Sequence, residues 1–510
     1  MNKSIILILF LFSLFLSCSD SDERKIVFPE SPRLIEFAFC VADNPLQLIE
    51  DVKCDIIGDS IVECYIPNIV KDKNLIARWI AFGGVVLEGN PLESGTSVVD
   101  CSKPVEFEVK LGNEVKRYML YVHTFTGLPI VWIDTENHQE ILIRDQYMRA
   151  YFRMEDGLIA HGVGDITEDS MSIKGRGNTT WTKPKKPYRL KFDHKQSLFG
   201  APNDKAWILL ANYCDKTMLR IATAFYISAL SNLMYTPKCH FVEVMLNGRY
   251  NGTYLLCEKI KVAEHRVNVG GNGFLLEVDV KRPEDEIDAR YFSLSHLPKF
   301  LDENYVNIKE PNVEYGDDNY NFISSYVQNA EKVLFSNDFL DPALGWKNYM
   351  DMDSFVDWYL INEISKNNDA IFYSSCFMSL KRGGKLRMGP VWDFDIAFGN
   401  VNYNENWNYE GFWVRNADWI SRMFEDPEFV NKVYDRFDYF YSKKWDIIQF
   451  INENANYLRL SAIENEHRWH TLYQETWPNY DIWGSYYNEV QSMKYWLDNR
   501  FEWLKEELTN

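Results

Sequence analysis

Apolar and polar residues alternate in short runs over the first part of the chain. Leu34-Ile-Glu-Phe-Ala-Phe39, Ile61-Val-Glu-Cys-Tyr-Ile66, Val105-Glu-Phe-Glu-Val-Lys110 and Lys116-Arg-Tyr-Met-Leu-Tyr-Val-His123 each read as a strand. Asn, Gly and Pro turns divide them, and Leu111-Gly-Asn113 makes the last two a hairpin. Strands at this spacing predict an Ig-like β-sandwich over residues 28–126. It carries no catalytic constellation and reads as a spacer or interaction module. Thr124-Phe-Thr-Gly-Leu-Pro129 marks its end.

The pattern then becomes mixed. Pro129-Ile-Val-Trp-Ile-Asp134 predicts a strand. Ser172-Ile-Lys-Gly-Arg-Gly-Asn-Thr-Thr-Trp181 predicts a strand running into a Gly-x-Gly-Asn turn. In Pro187-Tyr-Arg-Leu-Lys-Phe192, Arg189 and Lys191 fall on one face and Tyr188, Leu190 and Phe192 on the other. Asp215–Ser231 predicts a helix, with Leu219, Ala222, Phe225, Tyr226 and Ala229 at helical spacing and Asp215 as N-cap. Phe241–Leu246 and Tyr254–Ile260 flank Asn247-Gly248, a strong type I′ hairpin signal. Phe274-Leu-Leu-Glu-Val-Asp279 is another strand. Residues 280–320 are polar and irregular, after which helices dominate, notably Asp353–Ile364. The fold class is α+β, with the second unit over 128–508.

Composition narrows the function. Lys+Arg 54 against Asp+Glu 74 gives a net charge of −20, and no basic run is long enough to follow a phosphate backbone, so no nucleic acid partner is expected. Aromatics at 15%, with 16 Trp and 30 Tyr, predict a large aromatic core or a sugar-stacking surface. Residues 1–18 read as an export segment: Lys3, an apolar run Ile5–Leu16 too short to span a membrane, then Ser17-Cys18. The segment resembles a bacterial lipoprotein signal, which implies lipidation of Cys18 and anchoring at the outer membrane or cell surface. The acidic linker over 19–27 resembles surface-export signals of Bacteroidetes lipoproteins. No C-x-x-C pair occurs among the other cysteines, and their spacing does not demand disulfides.

The chemistry concentrates in Met388-Gly-Pro-Val-Trp-Asp-Phe-Asp-Ile-Ala-Phe-Gly-Asn400. Asp393 and Asp395, set between Trp392, Phe394 and Phe398, need a cation or hydrogen-bond donors to offset desolvation. A hard divalent metal shared with phosphates meets that need, as does a capped turn. The Gly175-Arg-Gly-Asn178 turn offers backbone N–H groups to a phosphate, with Arg176, Lys183, Lys185 and Lys186 adding local positive charge. Lys191 lies one strand later, and Glu258 or Glu277 are candidate partners for it.

Lys174-Gly-Arg-Gly-Asn-Thr-Thr-Trp181, Lys186-Pro-Tyr-Arg-Leu-Lys-Phe192, Asn247-Gly-Arg-Tyr-Asn-Gly-Thr-Tyr-Leu-Leu-Cys-Glu-Lys259, Asn362-Glu-Ile-Ser-Lys-Asn-Asn-Asp369 and Gly389-Pro-Val-Trp-Asp-Phe-Asp-Ile-Ala-Phe-Gly399 occur in that order. Together they resemble the CotH-type atypical protein kinases, the spore coat protein H family. The resemblance implies a divergent two-lobed kinase-like fold and transfer of the ATP γ-phosphate to Ser or Thr of an exported protein, with ATP and Mg²⁺ as cofactors. It implies that Asp369 is the catalytic acid, that Asp393 and Asp395 hold metal, that Lys191 binds phosphates and that Glu258 fixes Lys191. The interval from Asp369 to Asp393 fits loop–strand–strand–loop. Where family members often carry an asparagine after the catalytic acid, this chain has Ser374 and Ser375, with Asn367 or Asn368 as substitutes at a second metal position. Two rivals stand beside this reading: a catalytically silent kinase-fold surface binding protein, and a metal-dependent glycan hydrolase using Asp369 and Asp393 as an acid/base pair.

Overall fold

The computed structural model describes residues 31–48, 51–66, 70, 72–124, 127–155, 166–280, 290–298 and 304–509. The export segment, Cys18 and the acidic linker lie outside them. The chain divides into two compact units: one over residues up to Glu63 and Asp72–Val122, the other over Cys64–Lys71 and His123–Asn510.

The first unit is all β. Its strands are β1 (Arg33–Phe39), β2 (Val52–Lys53), β3 (Asp55–Ile57), β4 (Ile61–Ile66), β5 (Asn74–Phe82), β6 (Gly84–Leu87), β7 (Asn90–Pro91), β8 (Val98–Asp100), β9 (Val105–Leu111) and β10 (Glu114–Thr124). They form two sheets, ordered β2-β1-β5-β8 and β3-β4-β10-β9-β6-β7. Alternation places one apolar row of each strand inward. Phe37 of β1 stacks on Phe107 of β9, with centroids 5.5 Å apart, and Phe107 stacks on Tyr118 of β10. The Tyr118 hydroxyl accepts the Leu34 N–H at 2.9 Å, which also joins the two sheets.

The second unit opens with a closed seven-stranded barrel. Its strands are β11 (Ile130–Thr135), β12 (Met148–Glu155), β13 (Ile166–Gly175), β14 (Tyr188–Gln196), β15 (Asp204–Leu210), β16 (Cys239–Leu246) and β17 (Arg249–Glu258). They run in the order β11-β12-β13-β14-β15-β17-β16, and β16 closes on β11 in parallel. The predicted Asn247-Gly248 turn joins β16 to β17, both residues having positive φ. Alternate residues such as Phe152, Ile173, Leu190, Phe192 and Leu256 fill the interior. Full burial of side chains of that size contributes about 1.5–3 kcal/mol each. A barrel filled by its own side chains has no room for a ligand inside, so any site must sit on its outer wall.

A five-stranded antiparallel sheet follows, ordered β19-β20-β18-β21-β22, from β18 (Phe274–Val280), β19 (Tyr291–Phe292), β20 (Asn304–Glu310), β21 (Cys376–Leu380) and β22 (Leu386–Met388). Part of the stretch expected to be irregular is therefore strand: Val306 and Ile308 bury alternate positions of β20 while polar residues take the others. The predicted Asp215–Ser231 helix runs from Arg220 to Ala229. Asp215 begins it from a preceding turn, accepting the N–H groups of Thr217 and Arg220. Met352–Ile364 is helical as predicted, and further long helices follow at Pro427–Ser442, Lys444–Tyr457, Arg459–Trp469 and Tyr486–Thr509. One core joins them to the sheet and to the barrel's outer face, with Trp346, Trp358, Trp419 and Phe225 inside it. The fold is mixed α+β, as the patterning predicts; the closed barrel is the feature that patterning did not predict. Among the described residues no helix is long and apolar enough to cross a membrane.

Candidate active site

A cavity of about 960 Å³ opens between the outer wall of the barrel and the segment carrying Asp369, Asp393 and Asp395. The acidic side begins with the Met352–Ile364 helix, whose N-cap Asp351 accepts the Ser354 N–H at 2.9 Å. The helix delivers Ser365–Asp369 to the cavity. Asn368 donates to Asp369 Oδ1 (3.1 Å), while its own Oδ1 accepts from Asn404 and Asn406, each at 3.0 Å. Asn367 is held by Asn362 at 3.1 Å. Both asparagines proposed for a second metal are thus engaged with other side chains.

Beyond Asp369 the chain makes the predicted loop–strand–strand–loop. β21 and β22 pair antiparallel, Met378 opposite Met388, and lead into the Asp393 loop. The strand ends at Met388, and Asp393 and Asp395 sit on the loop that follows it. Asp393 has φ +66, and Ser375, from which it accepts a hydrogen bond at 3.2 Å, has φ +56. Non-glycine residues in the left-handed region persist only where their surroundings enforce them, and they gather at functional sites. Here the enforcement is visible. Arg220, paired with Asp215 at 2.5 Å, donates from Nε to the Ala397 carbonyl. Asn400 donates to the carbonyls of Asp395 (2.7 Å) and Cys214 (2.9 Å), and Asn479 donates to Asn400 Oδ1 at 2.9 Å.

The barrel side departs from the residue assignments above. Lys191 is exposed and does not line the cavity; Arg189, two residues earlier on the same outward face, does. Two strand residues advance the chain by roughly 6.6 Å, enough to carry Lys191 past the rim. Glu258 does not meet Lys191. Buried at 1% exposure, it accepts from the Tyr235 hydroxyl (2.9 Å) and Lys238 N–H (3.0 Å) and lies 3.5 Å from Arg266. Tyr254 and Leu256 belong to the barrel interior, so Glu258 shares their side of β17, whereas the next residue, Lys259, faces the cavity. Glu277 lines the cavity too, pairing with Lys309 at 2.7 Å.

Gly175, Arg176, Gly177 and Asn178 all line the cavity. The glycines have local reasons to be there. A Cβ on Gly175 would stand 2.3 Å from the Trp181 ring, and Gly177 has φ +82 with Thr180 Oγ1 2.1 Å from where its Cβ would be. Arg176 is the basic residue of this turn that faces the acids, its guanidinium 5.6 Å from the Trp392 ring. Lys185 and Lys186 are instead hydrogen-bonded to protein carbonyls, Lys185 to Thr253 and Lys186 to Trp181, and Lys183 reaches the Trp477 carbonyl.

The two walls carry opposite and unbalanced charge. Burial, then repulsion from Asp393, pushes the Asp369 carboxyl up to about 7. Asp393 and Asp395 are raised by burial as well, and Arg176 partly offsets this for Asp393. Asp279, which the sequence reading passed over, is raised to about 6 by burial and Glu277 and accepts a hydrogen bond from Ser374 at 2.6 Å. Its signal was the alternation of Glu277 and Asp279 on one face of β18. Opposite them, Lys259 is lowered to about 8 by burial and by Arg189, and the buried Arg189 Nε has no hydrogen-bond partner. Among the described residues no three ligating side chains form a metal site by themselves. Two carboxylates completed by phosphate oxygens is, however, how Mg²⁺ is ordinarily held. Acids short of a cation, facing cations short of an anion, fit a metal–polyphosphate ligand.

The family described as CotH kinase protein matches residues 173–504, which includes every one of these cavity residues from Lys174 onward. Two solved structures from Bacteroides are similar over part of the chain. One is a DUF4623 family protein from Bacteroides eggerthii DSM 20697, 10% identical with a TM-score of 0.15; the match covers 36% of this chain and 58% of that one. The other is a putative glycoside hydrolase from Bacteroides thetaiotaomicron, 12% identical with a TM-score of 0.17, covering 58% of this chain and 87% of that one. At such TM-scores neither bears on fold or function. No curated protein matches the chain.

Proposed function

The chain belongs to the CotH kinase protein family, and from that premise we propose that it is an atypical protein kinase, transferring the γ-phosphate of ATP to a Ser or Thr hydroxyl of an exported protein. The observation that supports this most is the pairing across one cavity of Asp369, Asp393, Asp395 and Asp279 with Arg176, Arg189 and Lys259. In this reading the barrel serves as the phosphate-binding lobe of a divergent two-lobed kinase and the helical part as the other, while the first unit is an Ig-like spacer.

Asp393 and Asp395 would hold Mg²⁺, which when bound offsets the charge of the nucleotide phosphates and of the acids themselves. Arg176, Arg189 and Lys259 bind phosphate oxygens from the barrel side, and the backbone of Gly175–Asn178 borders the same space. Asp369 orients the acceptor hydroxyl and takes its proton. A carboxyl near 7 is half ionised at neutral pH, where a general base is most effective. Asn368 fixes the direction of that carboxylate, and Ser375 fixes Asp393.

The protein is further proposed to be lipid-anchored through Cys18 at the outer membrane or cell surface, which would place its acceptor among exported proteins. Incubating the purified full chain with γ-labelled ATP and Mg²⁺ tests the activity: label should appear on the chain or on an added exported protein, and not with Asp369→Asn. A silent binding protein is the second reading, favoured by the exposed Tyr473, Trp477, Tyr480, Trp483 and Tyr487. It predicts no label on any acceptor.

A further inference from the structure

Two thiols face each other on the β16–β17 hairpin. The register pairs Cys239 with Cys257, and the Glu258 N–H donates to the Lys238 carbonyl at 3.0 Å. That bond makes 238/258 a hydrogen-bonded pair. Hydrogen-bonded and non-hydrogen-bonded pairs alternate along an antiparallel ladder, so Cys239 and Cys257 form a non-hydrogen-bonded pair. Such pairs bring Cα atoms to about 4.5 Å and their side chains closest together, within the separation that a disulfide spans. The side chains also interact directly: burial first, then a hydrogen bond with the Cys239 side chain, push the Cys257 thiol well above the usual range. Both residues are free thiols in this structure; Cys257 is fully buried and Cys239 is half-buried.

We propose that Cys239 and Cys257 are a cross-strand disulfide pair, closed by exchange with a disulfide-bearing oxidant that enters at Cys239. The Cys239 thiolate attacks one sulfur of the oxidant and expels the other as a thiolate. Cys257 then attacks the Cys239 sulfur and expels the second oxidant thiolate, which takes up the Cys257 proton as it leaves. The pair loses two protons and two electrons, and the oxidant disulfide is reduced to two thiols. Entry must be at Cys239 because Cys257 has no exposed surface. Burial makes the second attack the slower one, since the thiolate is the nucleophile and Cys257 is held protonated. The bond would tie the end of β17 to β16 immediately before Lys259 turns into the cavity. This pair stands apart from the catalytic reading, and neither depends on the other.

The test treats the purified, folded full chain with oxidised glutathione, quenches with acid, alkylates the remaining thiols under denaturing conditions and maps the peptides by mass spectrometry. The proposal expects a peptide pair joined through Cys239 and Cys257, two hydrogens lighter than the dithiol, that is lost on adding dithiothreitol. With Cys257→Ser, Cys239 should end as a stable mixed disulfide with glutathione, because the resolving thiol is gone. With Cys239→Ser, Cys257 should stay unmodified. The proposal is overturned if the wild type ends with glutathione on Cys239 and an alkylated Cys257. It is overturned equally if both thiols are recovered alkylated while the half-buried Cys40 has reacted.

Discussion

The acidic wall of the cavity comes mostly from one continuous stretch, Ser365 to Asn400, whereas the basic wall is assembled from separate strands of the barrel. The acidic stretch is tied at several steps: Asn368 by Asn404 and Asn406, Ala397 by Arg220, and Asp395 by Asn400, which Asn479 holds in turn. Asp393 itself, and Ser375 that donates to it, are held in left-handed conformations. Of the basic residues, Arg189 stands on the outer face of β14, Arg176 in the turn after β13 and Lys259 just past β17, where long side chains reach the cavity. One wall is built for position and the other for charge. Substitutions in the acidic wall should therefore act on chemistry and metal, and those in the basic wall on affinity.

The largest contrast is expected from Asp369→Asn. Removing the general base should slow phosphate transfer by roughly 10²–10⁴-fold. Nucleotide affinity measured on the same protein should stay nearly intact. A comparable loss of affinity would mean that Asp369 belongs to the binding machinery and that the division between the walls is drawn in the wrong place.

On the basic side, Arg189→Ala and Lys259→Ala should each weaken nucleotide binding by about tenfold, the scale of one charged hydrogen bond. Titration calorimetry against Mg-ATP reads this directly. If both variants bind like the wild type, the barrel does not supply the phosphate contacts.

The acids also leave a mark on stability. Asp369 near 7 and Asp279 near 6 hold protons in the folded state that an unfolded aspartate has already lost, so the stability these two groups contribute is fully present at low pH and is lost as pH rises through those values. Lowering the pH from 8 toward 5.5 should raise the Tm of the metal-free protein, and Asp369→Asn should reduce that rise by on the order of a few degrees. A pH response unchanged by Asp369→Asn would show that this carboxyl is not raised. The smallest expected effect is that of Lys191→Ala. Exposed beyond the rim, Lys191 should change nucleotide affinity by no more than about twofold, and a tenfold loss would restore it to the phosphate site.

The same asymmetry explains what was legible in the sequence. Asp393 and Asp395 stood out because acids among Trp392, Phe394 and Phe398 conflict with their surroundings, whereas Asp369 was marked only by the resemblance of the Asn362–Asp369 motif. On the barrel, alternation correctly put Arg189 and Lys191 on one face, but it says nothing about how far along that face the cavity extends. That depends on barrel closure, through a parallel β11–β16 contact that no local pattern records. Glu258 was one residue out of phase with Lys259, and in a strand a single step reverses the side. Gly175 and Gly177 mark the turn that lines the cavity, yet Trp181 and Thr180 are what require glycine there. Asp279 was visible only as half of an alternating pair, and its place opposite Ser374 depends on β18 lying beside β21.

The central claim is that this cavity binds a metal–nucleotide complex, and calorimetry of ATP binding with and without Mg²⁺ tests it most directly, using the wild type and Asp393→Ala. The account predicts saturable binding by the wild type that requires the metal and is lost in Asp393→Ala, because Asp393 would be one of the residues holding the metal that offsets the phosphate charge. Failure of the wild type to bind ATP with any divalent metal would contradict it, and the surface-binding reading would take its place.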